Sequence, residues 1–202
     1  MRLRKAVARK IFIVTAIIIV LPVVTFFSLP LLLSPSEVMR ADCIIHSAID
    51  SRLNGDHFVA QLYTQGVASK IVCISSQASW DVYPADFARE HLIELGVRAS
   101  DITALRLPLV ECGAQIRPLI VEHLKRNGWK SALLVADPSI TRVSRSGIIS
   151  HFRKAGIHVA ITFAPQDRED MLDRWWRTHW KAQRVVLGIM NSTLDMLYPS
   201  CR

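Results

Sequence analysis

From residue 41 onward the chain alternates short apolar, β-rich runs with segments whose apolar residues recur every three or four positions. The runs Cys43 to His46, Lys70 to Ile74, Ile102 to Leu107, Ser131 to Ala136 and His158 to Phe163 predict strands. Between them, Phe58, Val59, Leu62 and Tyr63 share a helical face before Gly66, and Phe87, Ala88, Leu92 and Leu95 lead to Gly96. Ile116, Leu119, Ile120 and Leu124 lead to Gly128 in the same way, and Ile148, Ile149, Phe152 and Ala155 to Gly156. A glycine after the last apolar turn is a natural helix stop, because it alone takes the left-handed backbone without steric cost. This order predicts an α/β fold: a Rossmann-like, mainly parallel sheet with flanking helices. No GxGxxG follows the first strand, so the pattern implies no dinucleotide and no cofactor is expected.

A different pattern precedes this domain. Residues Ile11 to Leu33 contain no charged side chain and follow the basic stretch MRLRKAVARK. As a helix the run reaches roughly 35 Å, against about 30 Å of bilayer hydrocarbon, so one transmembrane helix is predicted ahead of the α/β domain. Pro22 and Pro30 bend or end such a helix without abolishing a span. The expected organisation is a cytoplasmic basic tail at 1–10, the span at 11–33, a linker at 34–40 and an extracytoplasmic domain at 41–202. A cleaved signal peptide competes with this reading, but its apolar region is shorter and ends in a small-x-small site that Leu31-Leu32-Leu33-Ser34-Pro35 does not offer.

The formal net charge of +8 changes meaning once placed: Arg2, Arg4, Lys5, Arg9 and Lys10 carry five of those charges, leaving +3 for the rest. The basic excess follows from membrane topology, and no stripe of Arg and Lys with interleaved aromatics points to nucleic acid. Cys43 and Cys73 fall in predicted strands and read as small buried hydrophobes, whereas Cys112 and Cys201 lie in loop and terminal contexts where a disulfide between them is the candidate pairing. The cysteines are scattered and no His pair stands beside them at ligand spacing, so no metal site is expected. The tail from Asp170 to Gln183 carries Trp175, Trp176 and Trp180 and precedes an apolar helix candidate, RVVLGIMNSTLDMLYP; packing on the sheet and a membrane-interface belt are both open to it.

The segments ADCIIHSA, Arg52, LYTQGVASKIVCISS, LIELGV, GWKSALLVADPSITR and Trp175-Trp176 occur in an order and spacing that resembles the ElyC/SanA/YdcF-type family of bacterial envelope proteins, over nearly all of Arg40 to Tyr198. The resemblance implies an anchored Rossmann-like domain at the bacterial inner membrane, N-terminus cytoplasmic and domain periplasmic, working on a cell-wall or lipid-linked precursor. The departures matter as much. A glycine pair expected after the first strand is His46-Ser47-Ala48, and a Ser-Gly-Gly after the second is Ser75-Ser76-Gln77. The segment Glu111 to Ile116 does not reproduce the pattern expected after the third strand, and the late glutamate has no counterpart from Val185 to Leu197. In the fourth-strand run, a histidine becomes Ile140 and an arginine Val143. Butyl and isopropyl groups cannot move a proton or pair with a phosphate.

Ligands of open parallel sheets bind outside the carboxyl ends of the strands, so His46, Ser47, Asp50, Arg52, Ser75, Ser76, Glu111, Asp137 and Arg142 are the residues to inspect. Of these His46, Ser47, Arg52, Ser75, Ser76, Asp137 and Arg142 form the candidate small-ligand set; a Ser75, His46, Asp137 nucleophilic relay can be drawn from it, and no catalytic residue is assigned. Asp137 or Ser139 would serve as a helix N-cap, and Arg142, Arg145, Arg153 and Lys154 form a basic run that could meet anionic headgroups or lie solvated on a helix face. His91, His123, His151 and His158 read as structural, His57 and His179 as exposed. The function expected is that of a single-pass, non-catalytic accessory or scaffold subunit with membrane lipid and a membrane protein as partners, the alternative being an envelope enzyme or binding protein. A reporter fused after Arg202 is expected to be active only in an extracytoplasmic format, and a mature N-terminus near Ser36 would overturn the retained span.

Overall fold

The computed structural model describes residues 35–48, 53–108, 113–172, 177–179, 181–183, 185–187 and 190. They form five parallel strands in the order β3-β2-β1-β4-β5, with β1 at Cys43–Ser47, β2 at Ile71–Ser76, β3 at Ile102–Leu107, β4 at Ser131–Val135 and β5 at His158–Thr162. The helices that follow them in turn are α1 at Asn54–Thr64, α2 at Pro84–Glu94, α3 at Arg117–Arg126, α4 at Arg142–Lys154 and α5 at Pro165–Leu172. The Rossmann-like reading of the sequence is the architecture found, with strand ends displaced by one or two residues; β2, for example, runs on through Ser76.

Alternation along the central strands divides the core in two. Ile44 of β1 and Ala48 just beyond it join Ile71 and Cys73 of β2 beneath α1 and α2, with Val59, Leu62, Ala88 and Leu92. Cys43 and Ile45 face the other way, with Val72, Leu124, Phe152 and Ile161 beneath α3 and α4. Gly66, Gly96, Gly128 and Gly156 all have φ between 70° and 89°, the left-handed stop that their positions predict.

Register is pinned at the amino ends of the strands by polar side chains. Asp42 accepts from Lys130 N, Ser131 N and Ser131 Oγ at 2.7, 2.8 and 2.9 Å, which fixes where β4 starts against β1. These backbone bonds, Lys130 first, hold the Asp42 carboxyl below its usual pKa. Buried Asp101 does the same for β3, receiving Lys70 Nζ at 2.8 Å, Tyr63 Oη at 2.5 Å and Arg98 Nε at 2.8 Å.

Four expectations change on inspection. Leu119, placed with the core face of its helix, is 37 % exposed, because α3 packs through Ile120, Val121 and Leu124. Phe87, placed with the core face of its helix, is 62 % exposed, because α2 packs through Ala85, Ala88 and Leu92 instead. The N-cap of α4 is Thr141, whose Oγ1 accepts from Ser144 N at 3.3 Å; Asp137 Oδ1 instead closes a turn on Ser139 N at 2.8 Å. The basic run is not one patch, since Arg142 and Arg145 begin a 13-residue helix and Arg153 and Lys154 end it, and Arg145 is held by Glu37.

Among the described residues no helix is long and apolar enough to cross a membrane. The predicted span at 11–33 lies outside them, as do Arg52, Glu111, Cys112, Trp175, Trp176, Trp180 and Cys201. Cys43 and Cys73 are free, fully buried and on opposite faces of the sheet. Burial pushes both thiols up to about 12. A thiol reagent is therefore expected to spare both in the native protein at neutral pH and to modify them on unfolding; a Cys43 to Cys73 linked peptide in a non-reducing mass map would contradict this.

Candidate functional site

The strand order reverses between β1 and β4, and crevices of open α/β sheets form at that reversal. A cleft is found there. His46 and Ser47 from β1, Gly55 from α1, Val135 at the end of β4 with Ala136 to Pro138 after it, and Ala164 and Asp167 beyond β5 line it. Its free space for water centres is about 20 Å³, room for a water molecule or two rather than a substrate.

The reason for the small volume is His46. Its ring is 2 % exposed and lies against Gly55, where an added Cβ would stand 3.0 Å from His46 Cε1. Gly55 has an ordinary backbone here, and a side chain at this position would have to press the buried His46 ring aside by a few tenths of an ångström. Leu53, ahead of it, enters α1 with φ 61°, a left-handed conformation uncommon for a branched side chain.

Asp56 joins this ring to a second one. Its Oδ1 lies 2.5 Å from His46 Nε2 and its Oδ2 2.8 Å from His91 Nδ1. A carboxylate only accepts, so both imidazoles present N–H to it. Burial acts to raise the Asp56 carboxyl, but hydrogen bonds and charge from His46 and His91 outweigh it and hold the pKa below the usual 3.8. The site thus joins β1, α1 and α2 through one buried carboxylate, with His57 edge-on to His91 at 5.3 Å between ring centres. His46 Nδ1, buried, has no hydrogen-bond partner among the described residues. Cys73, opposite His46 in the β1–β2 register, sits on the same face. Its thiol stays protonated, mainly through burial and secondarily through the Asp56 charge.

The residues expected at the strand ends are distributed as follows. His46, Ser47 and Asp137 meet at the cleft. Ser75 is buried at the end of β2, where its Oγ accepts Ala85 N at 2.9 Å and fixes the start of α2; Ser76 is half-buried beside it. The nucleophilic relay is not assembled, because His46 bonds to Asp56 and Ser75 to Ala85 N. Arg142 is exposed on the first turn of α4. Ile140, where the resemblance expects histidine, packs against the core beneath α3 and α4. No group of three or more His, Cys, Asp or Glu side chains among the described residues is placed to hold a metal ion.

Sequence reading did not single out Asp56, and treated His91 only as a structural helix position. The available signal was Gly55-Asp56 at the start of a helix, which places an acidic side chain in the first turn where the helix dipole favours it. No protein-family model matches the chain, and no curated protein matches it.

The folded Asp56 carboxyl binds protons less readily than the unfolded one. Its contribution to stability is therefore complete above about pH 3.8 and is lost as pH falls through the folded value. Asp56→Asn is expected to flatten the acid limb of stability against pH, and Asp56→Ala to cost about 3–5 kcal/mol at neutral pH by removing one partner of a buried ionic cluster. Chemical denaturation across pH 2–7 checks both; an unchanged acid limb in Asp56→Asn would contradict the assignment.

Proposed function

We propose that this chain is a membrane-anchored, non-catalytic accessory or scaffold domain of the bacterial envelope, similar to the ElyC/SanA/YdcF type and working beside a membrane-protein partner. The observation that carries the reading is the filling of the strand-end cleft by the His46 ring, which leaves about 20 Å³ where a substrate would lie. Two further features support it. Ser75, the serine of the relay drawn from the sequence, accepts the Ala85 N–H at the first turn of α2, and Ile140 is part of the core packing. The uncharged run at 11–33 and its basic flank support the anchor.

One observation favours the second reading, an enzyme or binding protein acting on a cell-wall or lipid-linked precursor. A buried imidazole oriented by a carboxylate, with its other nitrogen unpartnered, is the arrangement of a general base, and it stands beside the cleft at the topological switch point. Its Nδ1 must become accessible for this to operate, which requires the His46 ring or α1 to shift.

The two readings separate in a strain lacking the gene. Asp137→Ala and Arg142→Ala are expected to restore function as well as the wild type, and mild-detergent purification is expected to recover a membrane protein with each. Loss of function in either variant at unchanged Tm would replace the accessory reading with the enzyme reading.

A further inference from the structure

The two ends of the sheet differ in a way that the cleft does not explain. At the amino ends the connections are tight glycine turns held by Asp42, Lys70, Arg98 and Asp101, and they present no exposed large apolar side chain. Between residues 53 and 172, the exposed large apolar side chains are Leu53, Trp80, Val82, Phe87 and Leu119. Every one lies between a strand's carboxyl end and the first turn of the next helix.

Trp80 is the extreme case. It is 94 % exposed at the tip of a turn in which Val82 N donates to Ser79 O at 2.5 Å and Ala78 N to Val82 O at 2.9 Å. Both central residues have positive φ, 30° at Trp80 and 61° at Asp81, a geometry normally served by Asn and Gly. The fold holds this residue in a disfavoured backbone conformation and leaves its indole almost wholly exposed. Phe87 stands one turn into α2, whose start is level with the end of β2 because Ser75 Oγ receives Ala85 N.

The chain also enters the domain at this end. Ser36 Oγ lies 2.9 Å from Thr162 Oγ1, at the last residue of β5, Glu37 N donates to Ile161 O at 3.0 Å, and Arg145 donates to Pro35 O. All strands being parallel, the carboxyl end of β5 and that of β2 are the same edge of the sheet. Residue 35 is separated from the apolar run at 11–33 by a single residue.

We propose that this edge faces the lipid bilayer and that Trp80, with Val82 and Phe87, docks in its interfacial region. The indole suits that site, since its ring is apolar and its N–H finds partners among headgroups and water. The proposal rests on the reading of residues 11–33 as an anchor and adds to it the side of the domain that meets the lipid.

The test uses the full chain reconstituted in phosphatidylcholine vesicles whose acyl chains are brominated near the headgroup. Trp80 is one of five tryptophans. Subtracting the Trp80→Phe spectrum from the wild type isolates its emission, which is expected to be quenched by the brominated lipid and shielded from aqueous acrylamide; Phe87→Ser is expected to weaken both effects. Thermal stability of both variants stays at the wild-type value, since neither side chain is buried. Carbonate extraction of the same vesicles reports separately on the anchor. Retention of the chain together with a water-exposed Trp80 overturns the proposal and leaves the anchor standing. Release of the chain with Trp80 still quenched refutes the anchor and supports the lipid contact, whereas shielding of Trp80 in native membranes only, and not in lipid vesicles, overturns the proposal in favour of a protein partner.

Discussion

The buried carboxylate of Asp56 is the contact on which the packing at the carboxyl ends of the strands depends. It stands at the third residue of α1, between an imidazole from β1 and another from α2, so three elements are positioned by one side chain. A carboxylate taken from water needs donors for both oxygens, and here each oxygen has one. The first turn of a helix adds favourable backbone dipoles. Moving α1 or α2 away by a bond length strands an ionised group in a low-dielectric setting, which is a steeper restraint than the apolar contacts beneath the same helices can impose.

Parallel topology then separates two tasks. At the amino ends, Asp42 and Asp101 pull backbone and cationic groups together and fix register. Lys70 hydrogen bonds to Asp101, and the Asp101 carboxyl is held well below the usual range by that bond, with Tyr63 and Arg98 adding to it. At the carboxyl ends the loops are longer, the backbone adopts left-handed conformations at Leu53, Trp80 and Asp81, and apolar side chains reach solvent. Strain that the packing does not need is concentrated at the end where α/β sheets place their function.

The sheet and its helix stops were legible in the sequence because both follow from local chemistry. Apolar runs such as Ile71 to Ile74 can only be central strands, and the four stop glycines need no tertiary context. The phase of a helix is less secure. Phe87 and Ala88 are neighbours in sequence yet about 100° apart around α2, and the sheet selected the small face at Ala85, Ala88 and Leu92, leaving the aromatic outside. The Asp56 cluster was not legible, since residues 46, 56 and 91 meet only after β1, α1 and α2 have docked. Likewise Asp137 and Ser139 have the chemistry of an N-cap, but the chain makes a turn there first and Thr141 takes the position.

These placements make the cleft's contents a coupled set. The ring at position 46 lies tightly against position 55, where a Cβ would stand 3.0 Å from Cε1 and press on the ring. Once buried, the imidazole requires a polar partner within reach of Nε2, and Asp56 supplies it from the residue next to Gly55. His46, Gly55 and Asp56 therefore act as one unit, in which the side chain that closes the cleft also creates the need for the carboxylate that holds it closed. Opening the site to a ligand would require breaking a bond to an ionised group as well as moving a ring, so the closed cleft is enforced by electrostatics and not merely by side-chain volume.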